Sequence, residues 1–207
     1  MVRWARSPRQ LLALVITVSG LLSALFMNDT AVLMFTPLVL EIVLALGRSP
    51  IPHLVGLVRA ASIGSAATST GNPQNMLIGA ASGFPYGTFT RSLAPAALAE
   101  LAVAWGVLVL VYRKEFASTR FETVAEVTVQ IFRPLLYKSL LATAGMLIAF
   151  LAGVPIALAV LVAASALLIT RRIRPHRIFR DVDFTLPVFF SGLFIVTGEI
   201  ETTGLSA

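Results

Sequence analysis

Seven stretches of the chain are almost free of charged side chains: 10–27, 30–46, 54–83, 92–112, 138–153, 154–170 and 184–198. Most approach the length of about 20 helical residues that crosses a bilayer core of about 30 Å. The pattern predicts membrane-spanning helices. The stretch 54–83 is too long for one span: at about 1.5 Å per residue it would reach roughly 45 Å, so it has to tilt strongly or break. Residues 139–170 carry no charge and are interrupted at Gly153-Val154-Pro155. They are read as two short spans joined by a turn. Between 113 and 138, Phe121, Val124, Val127 and Ile131 recur at helical spacing, with Glu122 and Glu126 on another face. This predicts an interfacial amphipathic helix in a solvated connection.

Composition narrows the class. Of 207 residues, 57% are apolar and only 13% charged, with a mean hydropathy of +0.88. Soluble domains carry about 25% charged residues, and a single globular core of this size cannot hide so much apolar surface. A soluble enzyme, a disordered tail and a nucleic-acid-binding module are excluded as the main reading. The net charge of +6 is then a matter of orientation. Threading the chain with its N-terminus inside, and counting Arg48 and Arg59 with the connection after the second stretch, puts 15 of the 16 basic residues on one face and leaves Arg91 on the other. By the positive-inside rule the N-terminus and the 113–138 loop are expected in the cytoplasm. Arg3, Arg6 and Arg9 resemble the start of a signal peptide, but the apolar stretch after them runs into Asn28-Asp29 without a small-residue cleavage site. No cysteine is present, which removes disulfides, thiolate metal sites and Cys nucleophiles. His53 and His176 lie far apart and make a weak metal site.

Polar residues at membrane depth carry the chemistry. The first group is Asn28-Asp29-Thr30, between two apolar arms. It is either a polar turn between two full spans or the tip of a re-entrant hairpin, since both return the chain to the same side. The second group lies in the overlong stretch. Ala60, Gly64 and Thr68 recur every fourth residue, a small face that lets helices pack closely in lipid. Gly71-Asn72-Pro73 then breaks the helix, because Pro73 has no amide hydrogen and disfavours helix at Asn72. Non-helical backbone at this depth persists only when it is buried in protein or lines a wet cavity. The oxygens of Thr68, Ser69, Thr70, Asn72, Gln74 and Asn75 surround it. Broken helices of this kind bind anionic solutes and coupling cations in many carriers; a tightly packed structural kink is the alternative. Glu41 and Glu199 sit near stretch ends, whereas Glu100 lies inside 92–112. It is a candidate proton relay or an interhelical hydrogen-bonding acid. No His-Glu-x-x-His or Gly-x-Ser-x-Gly pattern supports an intramembrane enzyme.

At these two interruptions the sequence resembles the ion transporter superfamily, which holds arsenical pump membrane proteins, citrate-transporter-like permeases and divalent anion:sodium symporters. Residues 23–37 look like that family's first re-entrant hairpin, with Asn28-Asp29-Thr30 at its tip. Residues 61–68 followed by Gly71-Asn72-Pro73-Gln74-Asn75 look like its unwound helix. Gly153-Val154-Pro155 and the Asp183-Phe184 start of an apolar stretch fit its mid-chain pattern.

The resemblance implies an all-α integral membrane protein, a polytopic helical transporter with a re-entrant hairpin and a discontinuous helix. Its organisation would be one transmembrane domain over 1–207: the end of a first repeat over 10–112 (hairpin 10–46, broken helix 54–83), a cytoplasmic connection over 113–137, two short spans over 138–170, and the start of a second repeat over 184–207. It implies that Asn28, Asp29 and Thr30 meet Thr68, Ser69, Thr70, Gly71, Asn72 and Asn75 at a substrate and ion half-site. No metal or cofactor is implied beyond coupling Na+ or H+. The dicarboxylate branch carries Ser-Asn-Thr at the tip. Asp29 would repel a dianion unless protonated or paired, which favours the arsenical-pump and citrate-like branches.

No second Asn-Asp-Thr or Gly-Asn-Pro element follows residue 75, so the inverted repeat is incomplete. The expected function is secondary active transport of a small anion or oxyanion by alternating access, by a chain that is a fragment or pairs with a second copy or a missing half. A sodium/proton antiporter and a non-transporting remnant or scaffold are the alternatives. The expected partners are the lipid bilayer and a small anionic solute, not a nucleic acid.

Overall fold

The structure is a computed structural model that describes residues 7–117 and 133–168, together with the pairs 188–189, 191–192 and 195–196. The predicted amphipathic helix at 121–131, the arginines of 171–180 and most of the 184–207 segment lie outside the described residues.

Seven helices are present among the described residues: α1 (Pro8–Leu25), α2 (Asn28–Ala45), α3 (Pro50–Ala66), α4 (Pro73–Ser82), α5 (Tyr86–Val111), α6 (Arg133–Leu151) and α7 (Ile156–Leu168). Proline opens α1, α3 and α4, where its missing amide hydrogen costs nothing and its fixed φ suits the first helical position. Ser7 caps α1 by accepting from the Gln10 amide at 3.3 Å. Gly47, at φ 64°, ends α2, and the Arg48 amide behind it donates to the Val43 carbonyl. This left-handed C-terminal turn is one glycine adopts without a Cβ penalty. Gly153, at φ 80°, makes the corresponding turn between α6 and α7.

Helices α1, α2 and α3 form the core. Leu11 and Val15 of α1, Val39 and Val43 of α2 and Leu57 of α3 share one buried cluster. The small face of α3 lies against α1. Gly64 sits so close to Gly20 that a Cβ on it would fall onto the Gly20 backbone. Ser23 Oγ donates to the Ala61 carbonyl at 2.6 Å, and Thr68 Oγ1 to the Ala24 carbonyl at 2.6 Å. Close approach of this kind gives two helices attraction in a solvent as apolar as their side chains.

Contacts fix which helix ends lie together. At one end, here the base, Arg9 Nε donates to the Phe116 carbonyl, the Ser49 amide donates to Glu115 Oε1, and the His53 ring meets Phe116 edge-on. The start of α1, the start of α3 and the end of α5 therefore share the base. At the far end the ring of Tyr86, the first residue of α5, lies 5.0 Å from Phe150 near the end of α6. Helix lengths then set depth. Taking about 1.5 Å per residue, α1 and α3 each reach ~26 Å from the base, whereas α5 runs ~39 Å. The remaining ~13 Å is close to the ~15 Å length of α4, which climbs from the end of α3 to the start of α5. The α1–α2 turn thus stops short of the far end of α5.

Four helices, α1, α2, α5 and α6, are long and apolar enough to cross a membrane. The molecule is an all-helical, multi-pass membrane protein. Arg59 departs from the sequence reading. Counted there with the polar connection after the second stretch, it lies in the middle of α3, because the helix starts at Pro50 and carries Arg59 inward with it.

Candidate functional site: a hairpin turn against a helix break

Two gaps in regular helix meet. The first is Phe26-Met27, both extended, between α1 and α2. The second is residues 67–72, between α3 and α4. The Asn28 amide donates to the Gly71 carbonyl at 3.0 Å, which joins the turn to the break directly. Both gaps lie a little off where the polar residues suggest. The turn falls just before Asn28-Asp29-Thr30, which form the first turn of α2. The break opens at Ala67, several residues before Gly71-Asn72-Pro73, since α3 gives up its carbonyls to a side chain.

That side chain is Asn75. Its Nδ2 donates to the carbonyls of Ser65, Ala66 and Thr68 at 3.3, 3.2 and 2.9 Å. A helix end leaves its last carbonyls without intrahelical partners, and one amide group here serves three. Asn72 works on the other half: its Oδ1 accepts from the Asn75 amide at 2.8 Å, capping α4, and its Nδ2 donates to Ser65 Oγ at 3.2 Å. Gly71 is required by space, since a Cβ would collide with the Ser65 backbone. The hydrogen-bonded groups of Asn72 and Asn75 named here therefore hold the break, with Ser65 at its hub. The sequence reading did not single out Ser65; its only signal is membership of the small-residue run before the break.

The other predicted residues divide. Thr68, Ser69 and Thr70 are buried, with Thr68 Oγ1 committed to the Ala24 carbonyl and 3.5 Å from Thr70 Oγ1. Ser69 Oγ and Asn28 Oδ1 are buried and have no hydrogen-bond partner among the described residues. Such atoms are rare in folded proteins because an unmade buried hydrogen bond costs about 1–3 kcal/mol. Asp29 and Thr30 are exposed in the first turn of α2. No side chain caps that turn, whereas Asn72 caps α4. Glu100 is not part of this assembly; it lies on α5, opposite Arg59 of α3.

Beside the crossing is a cavity of about 310 Å³ between the α1–α2 turn and helices α6 and α7. Phe26, Met27 and Met76 line one wall, and Met146 and Phe150 the other. Among the described residues Thr70 and Thr143 are its only polar lining side chains, and these offer an ion almost nothing.

The crossing brings the positive N-termini of α2 and α4 together with the negative C-termini of α1 and α3. Broken helices that meet inside a multi-pass helical protein are a feature of many membrane transporters. Comparison with known proteins gives a family. The pattern of the Citrate transporter family matches residues 1–207, and the chain belongs to that family. It is 38% identical over 107 residues to a silicon efflux transporter of Oryza sativa subsp. japonica, covering 52% of this chain and 22% of the relative. It is 30% identical over 207 residues to a 46 kDa membrane protein of Mycobacterium leprae, covering 95% of this chain and 48% of the relative. An uncharacterized transporter of Synechocystis is 27% identical over 224 residues, covering 100% of this chain and 49% of the relative. The chain spans about half the length of these bacterial relatives, and less of the plant one.

Proposed function

We propose that the crossing of the α1–α2 turn with the 67–72 break is one half-site of a secondary active transporter that moves a small oxyanion, or its undissociated acid, by alternating access. The observation that carries the reading is the pair of unpartnered buried oxygens, Asn28 Oδ1 and Ser69 Oγ, at a point where two helix breaks touch. Asn28 Oδ1 can only accept, and Asp29 one residue on brings a carboxylate. An acceptor-rich rim suits a hydroxylated solute that donates hydrogen bonds, or a coupling Na+ or H+, better than a bare dianion. The uncapped first turn of α2 supplies amide donors for the solute's remaining oxygens. The plant relative is named for silicon efflux and the family for citrate, solutes that are rich in oxygen.

In this reading Thr70 and Thr68 wall the site, Asn72, Asn75 and Gly71 hold its shape, and the facing half-site comes from a second copy or from the further half that the relatives contain. The base faces the cytoplasm, by the positive charges gathered there. The chain's role is transport, not catalysis.

The test is solute flux in proteoliposomes containing the chain, for silicic acid, arsenite and citrate under Na+ and proton gradients. Flux of at least one solute is expected. Asp29→Asn and Ser69→Ala are expected to lower it about tenfold or more, the loss of one good polar contact in a water-poor site, with membrane insertion unchanged. Wild-type flux in both variants overturns the site, and no flux under any gradient favours a non-transporting remnant.

A further inference from the structure

Arg59 is the only formally charged residue between Arg48 and Arg91, and Glu100 the only one between Arg91 and Arg113. Each lies well inside a helix, Arg59 nine residues beyond the start of α3 at Pro50 and Glu100 eleven residues before the end of α5 at Val111. Those two helix ends are held together at the base through His53 and Phe116. At about 1.5 Å per residue both charges lie well inside their helices, ~14 Å from the start of α3 and ~16 Å from the end of α5. Both open on one cavity of about 330 Å³ between α3 and α5, otherwise lined by small and aliphatic side chains such as Val55, Ile63 and Val103. Two opposite charges, each alone in a long apolar segment and each exposed on its helix, line the same cavity without touching.

A lone charge at this depth costs several kcal/mol in hydrocarbon. Two opposite charges that meet remove most of that cost, and losing one of them leaves the other uncompensated. We propose that Arg59 and Glu100 close this cavity as an interhelical ion pair within the membrane, and that they are positioning residues for the helix break. The pair ties the first half of the broken helix to α5 just before α3 ends at Ala66. There Ile63 and Ala67 rest on Ala97, with Ala94, Leu101 and Ala104 packed around them. The other charged or titratable groups of the packed elements face elsewhere: His53 meets Phe116, Arg9 holds the Phe116 carbonyl, and Arg91 is two and a half turns nearer the far end. On α6, Arg133 and Lys138 lie at the base end. The inference concerns how α3 is held, and stands whichever solute the break handles.

The experiment uses the chain in lipid nanodiscs, with Ser69→Cys as the sole thiol. Melting temperature and the rate of thiol labelling at position 69 are measured for Arg59→Gln, Glu100→Gln, the double neutral variant, and the exchange Arg59→Glu/Glu100→Arg. Each single neutralisation is expected to lower the melting temperature and raise labelling about threefold or more, with the double variant well short of the sum and the exchange close to the parent. If a single variant fails to accumulate, recovery of yield in the exchange supports the pair, and equal failure overturns it. Single effects that simply add, or no effect at all, also overturn it.

Discussion

Asn75 occupies the position on which the break depends. A helix that ends inside a membrane exposes carbonyls that water cannot reach, and each such group is expensive to leave unpaired. Three of them converge on the Asn75 amide group. Asn75→Ala removes the donors and leaves the acceptors, so it is expected to destabilise the chain by about 1–3 kcal/mol. Asn75→Asp keeps the size but sets a carboxylate oxygen against those carbonyls, and is expected to cost more. Thermal melting in detergent, with the two variants beside the parent, checks the order parent, Ala, Asp. Equal stability of the Asp variant and the parent would show that Asn75 does not hold the end of α3. By contrast, Ser69 Oγ and Asn28 Oδ1 satisfy nothing in the fold, so truncating Ser69 removes no bond the fold uses. Residues that shape the break and residues that await a ligand are thus separable at a single position.

At the scale of elements, a close helix contact along α3 was readable in the spacing of Ala60, Gly64 and Thr68, because a small face every fourth residue has one strong use in lipid; that α1 is the partner was not. The structure places that face against Gly20 and Ala24. Gly64→Val is expected to force the two helices apart by displacing the Gly20 backbone. A cost of about 3 kcal/mol, the upper range for overpacking a tight core, would appear as loss of folded protein in size-exclusion chromatography, while Gly106→Val, where nothing lies within 4 Å, leaves the profile unchanged. Whether the hairpin is full or re-entrant was not readable, since both carry the same charges; the structure adds that the α1–α2 turn stops short of the far end of α5. The break itself was legible through Pro73, yet its start at Ala67 was not. Gly64 and the Ser and Thr residues of the run 60–68 weaken a helix without marking where it stops, and the carbonyls left at its end are held by a side chain reaching back from position 75. Arg59 was misplaced for a related reason: charge counting assigns an arginine to the nearest polar connection, and cannot see that Pro50 starts a helix that carries it inward.

For the whole molecule, the helix ends sort the described charges. Arg9, Arg48, Arg113, Lys114, Arg133 and Lys138 lie at or near the base, and Arg91 lies close to the far end, five residues into α5. Such an imbalance across a bilayer sets orientation because positively charged loops resist translocation. Helix α6 starts and α7 ends away from the far end, since Phe150 and Ala159 pack beside Tyr86 there. A chain without cysteine makes this arrangement directly testable. Lys114→Cys and Phe84→Cys place single thiols at exposed positions near the two ends. Leu33→Cys places one on α2, between the turn and the base, where the side chain is 76% exposed but the surroundings are lipid. With a membrane-impermeant maleimide, Phe84→Cys is expected to react in intact cells, Lys114→Cys only in inverted vesicles, and Leu33→Cys in neither. Reaction of positions 84 and 114 from the same side would mean that α5 does not cross the bilayer. The turn and the break, packed beside α5, would then lose their place inside the membrane, and the half-site with them.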